Sequence, residues 1–487
     1  MSDDLTSLGA VQALRLFRSG ELSPSELLTE NLAQISRHDD LINAVTETVE
    51  DAADRARSAS DRYSAGDITA PLGVGDTALL GLPVATKEKH AIAGQTISQG
   101  LVAERDTIAP RNGAVAERIY AAGGVIHART TSPEFSCATV THSPLWGVTR
   151  NPHNTQYSPG GSSGGAGAAL SAGYTPLATS SDIAGSTRIP AAYSGVVGYK
   201  APYGRVPGEP PFASDWYRGD GAMARSVADT ALLYNAMSGV SERDHSTVPG
   251  TGTIPIEFPE PETWLSGARI AVCVNLGDYP VHPEIVAATR KTARALEAAG
   301  ARVEEIELPW TTAKIRDISM SHFGSLLVPG MELATQGHTE LADYTKRFMR
   351  DSHEAFDGKT LFDTLALEAE LQRQLAEAMA GYDVLLAPVN AVLALDADAS
   401  YLDGIDAVNE HGETVHLQHY WEGHMTVPFN IANRCPALAV PAGVAQNGMP
   451  IGVQFVGHPY QEIDVFRAGA ALEALQPWNL LAQLEQA

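Results

Sequence analysis

The stretch 158–205, SPGGSSGGAGAALSAGYTPLATSSDIAGSTRIPAAYSGVVGYKAPYGR, constrains this chain more than any other. Its first residues have the composition of a flexible linker. Linkers, however, do not pass into buried structure within a few residues. Here Gly165 leads into AGAALSAG, a helix of small residues, and 189–199 is apolar. A phosphate loop needs Lys and then Ser or Thr after its glycines, and Gly164-Gly165-Ala166 stands there instead. A dinucleotide fingerprint needs a strand just before it, whereas 151–159 is polar and broken by proline. Gly160-Gly161-Ser162-Ser163-Gly164 does match G-x-S-x-G, the nucleophile elbow of α/β-hydrolases. An elbow ends an apolar strand, and Pro159 precedes this one. An esterase using Ser162 or Ser163 with a distant histidine stays as one reading.

A second serine sharpens the picture. Ser186 lies 24 residues after Ser162, in Ser181-Asp182-Ile183-Ala184-Gly185-Ser186-Thr187-Arg188. The small residues Ala184 and Gly185 let backbone N–H groups converge beside the Ser186 oxygen, as stabilising an acyl-transfer oxyanion requires. Serine alone is a weak nucleophile and needs an adjacent base. Upstream, 81–87 is a short apolar strand ending in Lys87. Lysine is usually a surface residue, but one closing a buried strand is desolvated. Neutrality near pH 7 then takes a fall in pKa worth about 4 kcal/mol. A neutral amine so placed is a usable base.

The rest of the chain supplies the frame. Helices are expected over 5–65, with a capping signal at Ser23-Pro24-Ser25-Glu26, and over 113–122, from 283 to Gly300, and over 339–381. Strands are expected at 125–128, 269–274, 303–308, 383–388, 437–441 and 451–456. The segments 205–222 and 240–265 read as long surface connections. Such alternation predicts an α/β fold with a parallel or mixed sheet covered by helices. One large domain over 1–487 is expected, with a helical segment (1–66), a core bearing the catalytic motifs (67–240), and a C-terminal half carrying insertions (241–487).

Lys and Arg number 33 against 58 Asp and Glu, a net charge of −25. Such a surface repels phosphate backbones, so neither nucleic acid nor an anionic membrane is expected as partner. Cys137, Cys273 and Cys435 form no C-x-x-C and no disulfide framework, which predicts a reducing, cytoplasmic setting. The first seven residues lack the basic and apolar regions of a signal peptide, and no run of about 18 apolar residues occurs.

These residues carry a family resemblance. Gly160-Gly161-Ser162-Ser163-Gly164-Gly165, then Asp182, Gly185-Ser186 and Arg188-Ile189-Pro190, resemble the core motifs of the amidase signature family of serine hydrolases. Leu80-Gly81-Leu82-Pro83 with Lys87-Glu88 resembles its lysine strand, and Pro144-Leu145-Trp146-Gly147 with Asn151-Pro152 its approach to the loop. Pro428-Phe429-Asn430, Pro436-Ala437, Val440-Pro441 and 448–454 resemble its C-terminal motif. The resemblance runs from about residue 60 to the end. It implies a large mixed, mostly parallel sheet between layers of helices, and a catalytic triad of Ser186 as nucleophile, Lys87 as base and Ser162 as a bridging serine held by a cis peptide after Gly161. The N–H groups of Ile183, Ala184, Gly185 and Ser186 then form the oxyanion hole, and Ser136, Cys137 and Gly161 belong to the substrate pocket. No cofactor and no metal are implied. The reaction is cleavage of a C–N bond in a small amide, anilide or carbamate, with ester hydrolysis alongside. The glutamine-hydrolysing component of a tRNA-dependent amidotransferase complex is the alternative, and a homodimer is left open.

The chain departs from the family pattern at Ser180 and Ala184 (each a Gly), Glu88 (Asp), Thr131 (Asn), and Tyr199 and Ala201 around Lys200. None of these touches the triad. The stretch 411–424, with His411, His416, His419 and His424, matches no metal-ligand spacing and reads as a polar loop or helix near the pocket. Specificity is expected in 131–143, 205–222 and 310–425.

Overall fold

The structure is a computed structural model and describes residues 5–250, 252–336 and 340–484. Near the N-terminus, caps set the helices. Glu26 accepts from the Ser23 N–H at 2.8 Å while Ser23 accepts from the Glu26 N–H, and this box opens the helix Pro24–Ile42. Leu14 and Phe17 of the preceding helix Ala10–Ser19 are buried. The helical reading of 5–65 gives way at Val45–Thr48, a strand set before the helix Ala52–Ala65. Four residues are too few to show alternation; pairing with 125–130 decides their conformation.

The strands are β1 (Val45–Thr48), β2 (Pro83–Lys87), β3 (Val125–Thr130), the short pair β4 (His142–Ser143) and β5 (Gly147–Val148), β6 (Leu177–Asp182), β7 (Val197–Lys200) and β8 (Gly219–Ala224). They continue as β9 (Arg269–Val272), β10 (Arg302–Glu305), β11 (Val384–Pro388), the hairpin β12 (Ile405–Val408) and β13 (Thr414–Leu417), β14 (Ala437–Val444) and β15 (Pro450–Gly457). Eleven of them form one sheet, ordered β1-β3-β2-β6-β8-β7-β14-β15-β11-β9-β10. β3, β2 and β6 run parallel on one flank, and β11, β9 and β10 on the other. Between the flanks, neighbours run antiparallel from β6 through β11. Strands such as β2 and β11 are buried along their whole length, as expected when helices cover both faces. Among the described residues no helix is long and apolar enough to cross a membrane.

Two stretches differ from the sequence reading. First, 205–222 is not a surface connection throughout: it ends in β8, an interior strand paired with β6 and β7. Its small residues have weak strand propensity, but packing requires them. A Cβ on Gly221 would lie 2.5 Å from the Thr187 hydroxyl oxygen. Second, Thr312–Ala334 is a helix of 23 residues that Pro329, in its interior, disguises. The helices Asp343–Phe356 and Leu361–Ala378 fill the helical stretch expected over 339–381, whose first residue lies outside the described residues.

Candidate active site

Lys87 ends β2 with no exposed surface. The ladder between β2 and β6 covers Val84–Leu177 and Ala85–Ala178. Beyond it, the Lys87 N–H donates to the Thr179 hydroxyl at 3.0 Å instead of to a carbonyl. The Lys87 Nζ lies 2.6 Å from Ser162 Oγ and 3.1 Å from the hydroxyls of both Ser163 and Ser181. Burial, reinforced by the nearby Lys89 cation, pushes the amine well below the ordinary lysine range. A neutral amine has two N–H bonds and one lone pair, so one of these three hydroxyls must donate to it. Ser162, the closest, is placed to do so.

Ser162 follows a cis peptide bond at Gly161 and precedes the helix Gly164–Ser171. The glycines at that helix start are a packing requirement. A Cβ on Gly164 would lie 2.3 Å from Thr141 Oγ1, and one on Gly165 2.5 Å from the Thr131 N. Ser186 is buried and tied to the same loop, its carbonyl accepting from the Ser163 N–H at 3.2 Å.

Between β6 and the helix Arg188–Ser194, the turn 183–187 is built on Asp182. That carboxylate accepts from the N–H of Gly185 at 2.8 Å and of Thr187 at 3.3 Å, from Asn430 at 2.8 Å, and from Arg188 Nε and Nη2 at 3.0 Å each. Burial alone would raise its pKa, but Arg188 and Asn430 outweigh burial and hold it at about 2. The Gly185 N–H is therefore spent, which corrects the four-donor oxyanion reading. Among the described residues the N–H groups of Ile183, Ala184 and Ser186 donate to no protein acceptor. Gly185 stands at φ 116°, and a Cβ there would lie 2.0 Å from Thr426 Oγ1. That hydroxyl donates to the Ala184 carbonyl at 2.7 Å.

A cleft beside these groups is lined by Ser162, Ser181, Asp182 and Ile183 together with Phe135, Cys137, Phe323 and Trp421 among others. It leaves about 20 Å³, room for a single water. Ser136 and Cys137 are in its wall, while Gly161 packs against the backbone of Val140. The cleft residues outside the serine motifs come from 135–137, Arg218, and 323–421, within the stretches expected to carry specificity.

A family profile described as Amidase matches residues 26–466. The chain belongs to the amidase signature family. It is 31% identical over 484 residues to an acylamidase of Rhodococcus erythropolis, which covers 97% of this chain and 96% of that one. It is 30% identical over 491 residues to a glutamyl-tRNA(Gln) amidotransferase subunit of Chromohalobacter salexigens, covering 95% of each. Among solved structures it is similar to a bacterial aryl acylamidase of the same family, with a TM-score of 0.84 and 26% identity over 97% of this chain and 96% of that one. It is also similar to a 6-aminohexanoate cyclic dimer hydrolase complexed with substrate, with a TM-score of 0.80 and 27% identity over 99% of both. The chain is thus an amidase, a hydrolase that acts on amide bonds.

In this amidase the G-x-S-x-G match is not an elbow. No strand runs into Gly160, and Ser162 faces a lysine rather than a histidine. In the histidine-rich stretch of the amidase, Thr414–Leu417 is β13, paired with β12, and Tyr420–Gly423 is a helical turn whose Trp421 lines the cleft. His416 pairs with Asp406 at 2.8 Å. The buried His424 sits between Asn390 at 2.8 Å and Thr139 at 3.0 Å, and burial lowers its pKa to about 3. Buried Cys137 lies 3.7 Å from the Thr345 hydroxyl oxygen, and burial pushes its thiol up to about 12, far from a reactive thiolate.

Two contacts of the Lys87 amine escape the sequence reading. Ser163 and Ser181 both lie within hydrogen-bond distance of the Lys87 amine, at 3.1 Å. Each is the second hydroxyl of a serine pair, and only that doubling in the sequence pointed to them.

Proposed function

We propose that this amidase works on its own, outside any complex, on small amides, by acyl transfer through Ser186. Neutral Lys87 accepts the Ser162 proton as Ser162 accepts that of Ser186, and Ser186 Oγ bonds to the amide carbon. The N–H groups of Ile183, Ala184 and Ser186 receive the oxyanion. Ser162 then protonates the leaving nitrogen and recovers its proton from Lys87 as the C–N bond breaks. Water repeats the sequence on the acyl-enzyme, releasing the acid and restoring Ser186.

The observation that carries this reading is the buried Lys87 amine, 2.6 Å from Ser162 on a loop hydrogen-bonded to Ser186. The similarity to an acylamidase and to an aryl acylamidase supports amides, anilides among them, as substrates of this chain; carbamates and esters pass through the same tetrahedral species. The net charge of −25 argues against nucleic acid as a partner. The test is hydrolysis of a chromogenic anilide by the purified chain alone, together with a phosphonofluoridate probe. The probe mass should appear on the peptide carrying Ser186; its appearance on Ser162 or Ser163 instead would refute the assignment.

The amidotransferase relative at 30% identity favours a second reading, a component that hydrolyses glutamine within a complex. A chain that leaves every anilide intact but releases ammonia from glutamine once partner proteins are added would establish that reading instead.

A further inference from the structure

Arg218 occupies the last position before β8, and its backbone is fixed on both sides. Its N–H donates to the Asp215 carbonyl at 3.1 Å, and its own carbonyl accepts from Asn433 at 3.3 Å. The side chain forms part of the cleft wall beside Ser162, Ser181 and Ile183. It also borders an adjoining hollow of about 130 Å³ with Lys89, Glu209, Phe212 and Asp220. The guanidinium thus stands on the wall shared by the two spaces.

Among the described residues this guanidinium makes no hydrogen bond and no ion pair; the Phe212 ring lies 5.7 Å from its Cζ. The carboxylates that line the same spaces pair with other cations, although the Arg218 charge also acts on Asp220. Asp220 meets Lys89 at 2.7 Å and His90 at 3.1 Å, Asp182 is held by Arg188, and Glu209 accepts from Arg111 at 2.8 Å. Asp215 and Glu368, behind the same segment, both bond His322, at 2.8 and 2.9 Å.

A guanidinium carries five donors in a planar fork that matches a carboxylate. Here the fork is half-buried beside Phe212, and among the described residues no protein acceptor lies at hydrogen-bond distance. A bound oxyanion would exchange water at this fork for charge-assisted hydrogen bonds. We propose that Arg218 anchors a carboxylate on the substrate, so that this amidase selects amides bearing a free carboxylate near the scissile bond. The aromatic wall of Phe135, Phe323, Phe348 and Trp421 then packs on the apolar spacer between the two groups. This inference rests on the hydrolase reading above and deepens it to a substrate class.

The test compares para-nitroanilides of equal length whose acyl chains end in a carboxylate, a methyl or an ammonium group, using the purified full chain. A second series sets hexanoyl anilide against hexanoylaminobenzoate, which carries the carboxylate on the leaving amine. In one of the two series the carboxylate should raise kcat/KM by about tenfold or more, mainly through KM, and added salt should shrink the preference. Arg218→Gln should bring that ratio to about one, and Arg218→Glu should turn the preference toward the ammonium substrate, a gain that misfolding does not produce. No preference in either series, or the same ratio in the wild type and both variants, overturns the inference while leaving the hydrolase reading intact. Failure of the wild type on all the anilides sinks that reading, and this inference with it.

Discussion

Asp182 and Arg188 form a two-point ion pair, both nitrogen–oxygen distances 3.0 Å, with neither side chain exposed. The pair spans the oxyanion turn, and Arg188 reaches on to Thr426 and, in the C-terminal motif, to Asn430 and Gln454. The turn beside Ser186 is therefore shaped by residues more than two hundred positions away.

Arg188→Met should cost about 3–5 kcal/mol at pH 7, because it leaves a buried carboxylate without its cation. Asp182 is depressed to about 2 from an ordinary 3.8, so its stabilisation is present above 3.8 and is lost as pH falls toward 2. In the variant Asp182 takes up a proton at a higher pH, so the penalty should shrink between pH 7 and pH 5. Urea midpoints of the two proteins at both values check this; an unchanged gap would count against it.

Lys87→Met should lower kcat by about a thousandfold or more and yet raise stability at neutral pH. A lysine held neutral in the fold takes up a proton on unfolding. Its folded pKa is depressed, so wild-type stability rises with pH until the ordinary value of 10.5 is passed. The advantage of the variant in melting temperature should therefore be largest near pH 7 and fade toward pH 10. Wild-type kcat/KM should fall on the acid side as Lys87 is protonated. A flat acid limb, or a variant less stable than wild type at pH 7, would show that the amine is charged at rest.

Gly185→Ala should reduce kcat by about a hundredfold. It places a methyl 2.0 Å from Thr426 Oγ1 on a backbone at φ 116°. Adding Thr426→Ala relieves the contact but not the backbone cost, so the double variant should recover only part of the rate. Full recovery would mean that the contact alone matters.

His322 is held between Glu368 on Nδ1 and Asp215 on Nε2, with Tyr217 stacked at 3.5 Å and Trp216 edge-on at 4.8 Å. Burial alone would lower its pKa, but the two carboxylates prevail and raise it. The imidazolium's contribution is thus complete below about 6.5 and is lost as pH rises through the raised value. The melting-temperature gap between wild type and His322→Gln should be widest near pH 6 and narrow toward pH 9. A gap that does not move with pH would show that the ring contributes only packing.

Legibility followed locality. The box at Ser23 and Glu26 rests on neighbours in the chain, while the glycines opening the helix Gly164–Ser171 and the apolar strands β2 and β11 show in the local composition even though their contacts are distant. β1 and β8 were hidden because their conformation comes from the strands beside them. The helix Thr312–Ala334 was hidden by Pro329, although Ile315, Ile318 and Phe323 do keep a helical rhythm. At the site, the positions of Lys87, Ser162 and Ser186 stood out as motifs, whereas Phe323, Trp421 and Arg218 had no local mark.

By itself the sequence determined the family and the chemistry on offer, because small residues, serines and a strand-ending lysine recur at spacings few other folds require. Only the tertiary structure decided which groups are free to act. The Gly185 N–H is taken by Asp182, the fork of Arg218 has no hydrogen-bond partner among the described residues, and Lys87 is fully buried. Hydrogen-bond partners and hydration depend on what lies alongside in space, and chain order does not record that.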